Sequence, residues 1–483
     1  MRLLTFAAVL AAGAARADYP PGPDPDGTVR IKLALSPAAP PVPAGRWNVY
    51  PEYRDQQPGN RVQGLLRTFS EQANFFHNKE RNEQRDKWLK TELADLPADI
   101  RTRATVQYGM MYDKTTKFLG IADRAARFSR TEWNEYFDLR KDGAFMLLPE
   151  VQQMRAIAAA ISLRMRGEVK AGEWDKAVES AKTLFGIAQA LEQHPTLIGN
   201  LVGIAIAQIA LNGIEEAIGQ PGCPSLFWGL VAVPDRPVSS AAGLGGERVF
   251  LTAQFQPLIE ARRPMTDAEL AAHLATLKEL VSSANEEERK SNPHFEQVKA
   301  NPAGWLAAAV ADPAKLQDAR NRILSQVGPF DGFMQMSATQ VGLLNDLLLY
   351  EELRDDLFKW YNLPHAQSIP GMMAADAEIK RRSKESVVAP LFIATTFKVK
   401  AAETRLAQRC KLLQVVEAVR LHAGATGGLP ATLGEVKLPL PLDPVAGKPF
   451  TYTRTGESAV LYGENPQVAG ARFVVEYTLT TRK

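Results

Sequence analysis

Apolar residues recur at helical spacing along most of the chain, and the stripes they form predict a mainly α protein. After Pro58-Gly59-Asn60, residues Val62, Leu65, Leu66, Phe69, Ala73 and Phe76 share one face, and polar residues fill the other. Further helix is expected across 98–140. The sharpest pattern begins at Pro149, a residue suited to a first helical position. Val151, Met154, Ala158, Ile161, Met165 and Val169 make one stripe; Trp174, Ala177, Val178, Ala181, Leu184, Phe185 and Ala188 make a second. Gly172 between them can close the first helix in a left-handed conformation, so the pair reads as an antiparallel helical hairpin. Leu197 to Ile214 is apolar nearly all round, which fits a membrane span or a central core helix. Asn200, Gln208 and Asn212 interrupt it at a cost in lipid, and the stretch is short for a span, so a buried core helix is expected.

Residues 219–247 are rich in Pro and Gly and read as a connection. Gly243-Leu-Gly245-Gly246 within it follows no predicted strand and lacks a Gly-Lys-Ser/Thr ending, so it reads as a loop rather than a phosphate cradle. Thr266-Asp-Ala-Glu269 is a capping box ahead of Leu270, Leu274, Leu277 and Leu280. Helices fit 312–326 and 337–361, the latter with Leu343, Leu347, Tyr350, Leu353, Leu357 and Trp360 as its stripe.

The last hundred residues change character. Val387 to Leu421 reads as one long helix, with Pro390 in its first turn and Gly424, Gly427 and Gly428 ending it. Strands are predicted at 450–454, 459–462 and 471–480, where Phe473, Val475, Tyr477 and Leu479 alternate with Val474, Glu476, Thr478 and Thr480. Leu406, Leu413 and Val416 are expected to cover that apolar strand face. The Pro-rich stretch 18–60 reads as extended chain with one strand, Val29 to Leu35. The expected architecture is therefore helical hairpins packed as a bundle or short solenoid, plus a small α+β module of long helix and antiparallel sheet. Its boundaries are a signal segment at 1–17, an extended segment at 18–60, a helical domain at 61–375 and the C-terminal module at 384–483.

The signal reading rests on Arg2, the uncharged run Leu3 to Ala15 and the small-x-small step Ala15-Arg16-Ala17, which predicts cleavage before Asp18. Periplasm or cell envelope is the expected location, without stable membrane insertion. Loss of Arg2 and Arg16 leaves 55 of the 57 basic residues against 54 acidic ones, a net charge of +1. That balance supplies no field for nucleic acid. Hydrophobic residues make up 45% of the chain, as a packed core requires. Two cysteines, Cys223 and Cys410, do not make a disulfide framework, and Cys410 shares a helical face with Leu406 and Leu413.

Candidate chemistry is sparse. His77, His194, His273, His294, His365 and His422 never stand at metal-ligand spacing, so no metal and no cofactor is expected. Asp24-Pro-Asp26-Gly27 starts like a calcium loop but lacks the later ligands, and reads as a turn. No G-x-S-x-G elbow or Walker loop occurs. The acidic pairs Asp355-Asp356 and Glu351-Glu352, the run Glu286-Glu287-Glu288 and the basic cluster Arg381-Arg382-Ser383-Lys384 read as solvated helix faces. Trp133, Tyr136, Phe137 and Trp360-Tyr361 read as core or rim aromatics. No catalytic residue can be assigned.

Several segments carry resemblances. Gly172-x-Trp174-x-x-Ala177 is similar to the turn of a tetratricopeptide hairpin, in one copy only. Pro195 to Ala207, Gln220 to Trp228, Val231-Ala-Val-Pro234, Gly246-Glu-Arg248, Val416-Glu-Ala-Val-Arg420, Leu429-Pro430 and Asp443-Pro to Phe450 form a series. This series resembles a group of uncharacterised exported proteins typical of planctomycete-like bacteria, which implies no activity. The C-terminal part also resembles the globular region of type II secretion pseudopilins. The helix begins far from the N-terminus, and Gly463-Glu-Asn-Pro466 replaces the acidic calcium loop, so neither filament assembly nor calcium binding is implied. The expected function is a non-enzymatic extracytoplasmic interaction or structural protein, its partner another protein. The alternative is a hydrolase whose site is assembled from scattered helical residues.

Overall fold

The computed structural model describes residues 23–100, 120–143, 146–283, 289, 294–389, 396–466 and 472–482. The signal segment 1–17, Pro390, Glu286 to Glu288 and positions 101–119 of the helix expected between 98 and 140 lie outside those residues, as do the side chains of Tyr136 and Phe137. The protein is mainly helical with a small mixed sheet. It divides into two compact units. One comprises Asn134–Leu147 and Leu244–Val399; the other comprises the described residues up to Trp133, then Leu148–Gly243 and Lys400–Lys483. We call them the central unit and the sheet unit.

The hairpin anchors the sheet unit. Helix α1 (Pro149–Lys170) and helix α2 (Trp174–Glu192) are joined through Gly172 at φ +68°. The Glu173 N–H donates to the Glu168 carbonyl at 2.9 Å and the Gly172 N–H to Val169 at 3.0 Å, which satisfies carbonyls that the helix end leaves open. Helix α3 (Leu197–Ile218) is capped by Thr196, whose hydroxyl accepts from the Gly199 N–H at 3.2 Å. It packs on both hairpin helices. A Cβ on Gly213 would lie 2.5 Å from Met165 Sδ, so a bare backbone is what lets α3 approach α1 there. Ile204 is buried, and α3 is at once apolar enough to cross a membrane and largely buried within the protein.

In the central unit, α4 (Thr252–Glu260) and α5 (Pro313–Gln326) each pack on α6 (Ala338–Phe358). Asp312 caps α5 by accepting from the Ala314 and Lys315 N–H groups, and Ser337 caps α6 through the Gln340 N–H. The capping box at Thr266–Glu269 forms as expected, with both reciprocal bonds present ahead of the helix Asp267–Ser283. Leu343, Leu347, Leu353 and Leu357 bury the inner stripe of α6.

The long helix α7 runs Thr396–Thr426 and ends at Gly427, φ +83°. Strands β1 (Thr28–Leu35), β2 (Gln57–Asn60), β3 (Phe128–Arg130), β4 (Thr451–Thr455), β5 (Ser458–Tyr462) and β6 (Val474–Thr481) form two sheets. The main one has the order β1-β6-β5-β4. Its β4-β5-β6 part is the antiparallel meander the alternation predicts, but β1 pairs with β6 in parallel, from Thr28↔Val474 to Leu35↔Thr481.

Three expectations need correcting. The compact units do not divide near 384: residues 400–483 cluster with α1–α3, and β1 pairs along β6 at the sheet edge. The small parallel pair β2–β3 adds a second strand to the segment 18–60 and interrupts the helix expected across 98–140; its sequence is too short and too polar to signal a strand. Gly243 to Gly246 is helical, within Ala241–Phe250, because Asn200 Oδ1 accepts from the Gly243 N–H at 2.9 Å and so caps the turn from a distant helix.

Candidate functional site

A cavity opens on the central unit. About 360 Å³ in volume, it is lined by Ile259, Glu260, Arg262, Gln326, Val327, Leu348 and Glu351. Leu348 is buried and forms an apolar lining, with Ile259 and Val327 beside it. Glu260 is the last residue of α4 and Gln326 the last of α5, so two helix C-termini end at the cleft. Their carbonyl ends carry partial negative charge. Glu351, on α6, is half-buried, and burial raises its carboxyl above the usual range, with Arg354 opposing and Asp355 adding to the shift.

Arg262 supplies the positive charge. Its φ is +46°, and it is the described non-glycine residue that adopts a positive φ. A side chain there costs on the order of 1–2 kcal/mol relative to the right-handed region. Glycine is the ordinary occupant two residues past a helix end. The strained residue, the two carboxylates and the cavity coincide.

A second group of shifted ionisable side chains lies in the sheet unit. Glu403, on α7, accepts from Arg236 Nε at 2.5 Å and from the Ser240 N–H at 3.2 Å. Burial lowers the Lys400 ammonium to about 8, against the attraction of Glu403. Burial also raises Glu192, which accepts from the Ser239 N–H at 3.1 Å. Tyr50 is pushed up to about 12 by burial. The buried Ser240 hydroxyl has no hydrogen-bond partner among the described residues.

Several other buried charges of the sheet unit are held in closed pairs. Arg164 grips Asp123 bidentately at 2.7 and 2.8 Å and reaches the Ser180 hydroxyl at 3.0 Å, while Ser180 donates to Glu168. Arg166 pairs with Glu216 at 2.7 Å and donates to the carbonyls of Trp88, Leu89 and Thr91. Trp88 and Leu89 close the helix Lys79–Lys90, so one guanidinium both neutralises a buried carboxylate and caps a helix end. Glu417 pairs with Arg420 and also accepts from Ser225 and the Leu226 N–H.

The residues weighed in the sequence are scattered. Cys223 and Cys410 are buried free thiols, each raised to about 12 by burial. His194 is buried against Trp133, His365 is buried, and His294 meets the Lys384 carbonyl at 2.8 Å. Among the described residues no cluster of His, Cys, Asp and Glu fit for a metal occurs. Asp24 and Asp26 face Arg30 around the turn at Gly27. Trp133 donates its indole N–H to the Ala190 carbonyl as a core residue, and Tyr361 is buried. Asp355, Asp356 and Glu352 carry arginine or lysine partners, as do Arg381 and Arg382 with acids. Glu351 has Arg354 at 4.0 Å and also lines the cleft, although the sequence places it on a solvated face. Its signal was unreadable because Glu260 and Arg262 lie ninety residues away along the chain, in a stretch without a motif.

No protein-family model, characterised protein or solved structure matches the chain.

Proposed function

We propose that this is an exported, envelope-resident protein that works by binding, with the central-unit cleft as its ligand site. The observation that carries the reading is the coincidence of an open, charge-lined cavity of about 360 Å³ with the strained Arg262 at its edge. Small-molecule sites fall in this size range and combine apolar walls with a few convergent polar groups. A backbone held out of its comfortable region persists where something else is gained. Export is supported by Arg2, the apolar run to Ala15 and the Ala15-Arg16-Ala17 step, and by the resemblance to exported proteins of planctomycete-like bacteria.

The test is hydrogen exchange on the full mature chain against a panel of amino acids and peptides, organic anions and neutral sugars. Protection of residues 256–262 and 345–352 by one class supports the reading. Absence of protection there by every class rejects it. Intact mass of exported material checks removal of residues 1–17.

A hydrolase remains the second reading, on a separate observation: Glu192 and Lys400 are both driven toward their neutral forms, as acid and base pairs in active sites are. Turnover of any ester, amide or glycoside substrate that Glu192→Gln and Lys400→Met abolish, in a chain that still melts normally, would favour it.

A further inference from the structure

We propose that the cleft of the central unit takes a small zwitterion, an α-amino acid or short peptide with a free ammonium group and a free carboxylate. This rests on reading the cleft as a ligand site and names what that site recognises.

Charge carries the argument. Two carboxylates, Glu260 and Glu351, share the cavity with one guanidinium, Arg262. The C-terminal ends of α4 and α5 add their partial negative charge, so the balance inside the cleft favours a cation. Burial holds Glu351 back from ionising although Arg354 lies 4.0 Å from it, and an ammonium group placed beside it relieves the penalty that remains by adding a second partner. A plain cation would leave Arg262 facing it without compensation. A carboxylate on the same ligand removes that conflict, because the planar guanidinium is the group best shaped to receive one. The carbon skeleton between the two charges has somewhere to go: Ile259, Val327 and the buried Leu348 line the cavity, and the Gln326 amide offers both a donor and an acceptor. A volume of about 360 Å³ admits an amino acid or a dipeptide.

The position of Arg262 fits this role. Glycine would hold the same turn without strain, and a side chain there is explained by what its guanidinium meets in the cleft.

The experiment is calorimetric titration of the full mature chain with four solutes: L-leucine, L-leucyl-L-leucine, N-acetyl-L-leucine, which has no ammonium group, and isoamylamine, which has no carboxylate. The expected result is binding of leucine or dileucine, weakened roughly tenfold or more when either charge is removed, as loss of a charge-assisted contact predicts. Glu351→Gln should weaken leucine and isoamylamine alike. Arg262→Gly should weaken leucine and tighten isoamylamine, because it removes the positive charge facing a plain cation, and loss of folding would not do this. Equal binding of N-acetyl-leucine and leucine overturns the proposal, and so does silence from all four solutes. If those are silent while an anion or a sugar protects the cleft in the exchange experiment, the zwitterion is wrong and the binding reading stands. Silence in both experiments removes both.

Discussion

The phenol of Tyr477 donates its hydrogen bond to the carboxylate of Glu215, across 262 residues of sequence. Arg409 reaches the same carboxylate oxygen at 3.2 Å and extends to Gln208 at 2.9 Å and Asn212 at 2.5 Å. One buried contact thus ties strand β6 to helices α3 and α7. Burial, then the Glu215 charge, holds the Tyr477 phenol far above its ordinary range, so it stays a donor at any physiological pH. Gln208 and Asn212, two of the polar residues that make α3 costly in lipid, are partners of Arg409.

Removing Glu215 should therefore be far worse than removing the phenol. Glu215→Ala leaves Arg409 buried without its counter-ion, at a cost of about 3–5 kcal/mol. Tyr477→Phe loses one hydrogen bond to a charged group, about 1.5–3 kcal/mol. Urea unfolding of the two variants ranks them; equal losses would show that Arg409 has another anionic partner in reach.

Acid should act on the two units in opposite directions. His194, in the sheet unit, is pushed down to about 4 by burial. A base whose folded pKa is depressed contributes stability above its unfolded pKa, near 6.5, and loses it as pH falls toward 4. Asp346, in the central unit, is pushed up to about 6 by burial, although the Val387 N–H donates to both its oxygens at 3.1 Å. Its contribution is complete below about 3.8 and is lost as pH rises through 6. From pH 7 to pH 4 the sheet unit should lose, and the central unit gain, roughly 2–3 kcal/mol from these groups alone. Hydrogen exchange at the two pH values, followed in 187–206 and in 341–352, reads each separately. His194→Gln and Asp346→Asn should each flatten one of the two responses.

Arg262→Gly should raise the stability of the central unit by about 1 kcal/mol, since glycine adopts φ +46° without a steric penalty. Thermal unfolding followed by exchange in 252–262 measures it. No gain would mean that contacts of the arginine side chain already offset the backbone strain.

Expressed alone, residues 384–483 should fail to give a cooperative melt. The fragment retains α7 and the β4-β5-β6 meander but lacks β1, which pairs with β6 along its length, and lacks Glu215 opposite Arg409. Tyr477 and Leu479 are buried in the intact protein, and the fragment would expose much of that surface. Dispersed amide signals from the fragment would show that α7 covers the sheet unaided.

Periodicity by itself determined the helical hairpin, the capping box at Thr266–Glu269, the starts of α5 and α6, the three C-terminal strands and the strand at 28–35, because each is decided by contacts within a few residues. Gly172 could be assigned a left-handed turn for the same reason: the need arises from its own helix end. What closes the sheet depends on other facts. That β1 lies parallel beside β6, that Glu215 of α3 and Arg409 of α7 meet at Tyr477 of β6, and that Asn200 caps a glycine-rich stretch as helix all depend on partners dozens to hundreds of residues away. Alternation shows that a strand has a buried face and leaves open which element buries it. The cleft is the extreme case. Glu260, Arg262 and Glu351 are ordinary polar residues at helix ends and on a helix face, and only the packing of α4, α5 and α6 brings their charges around one volume.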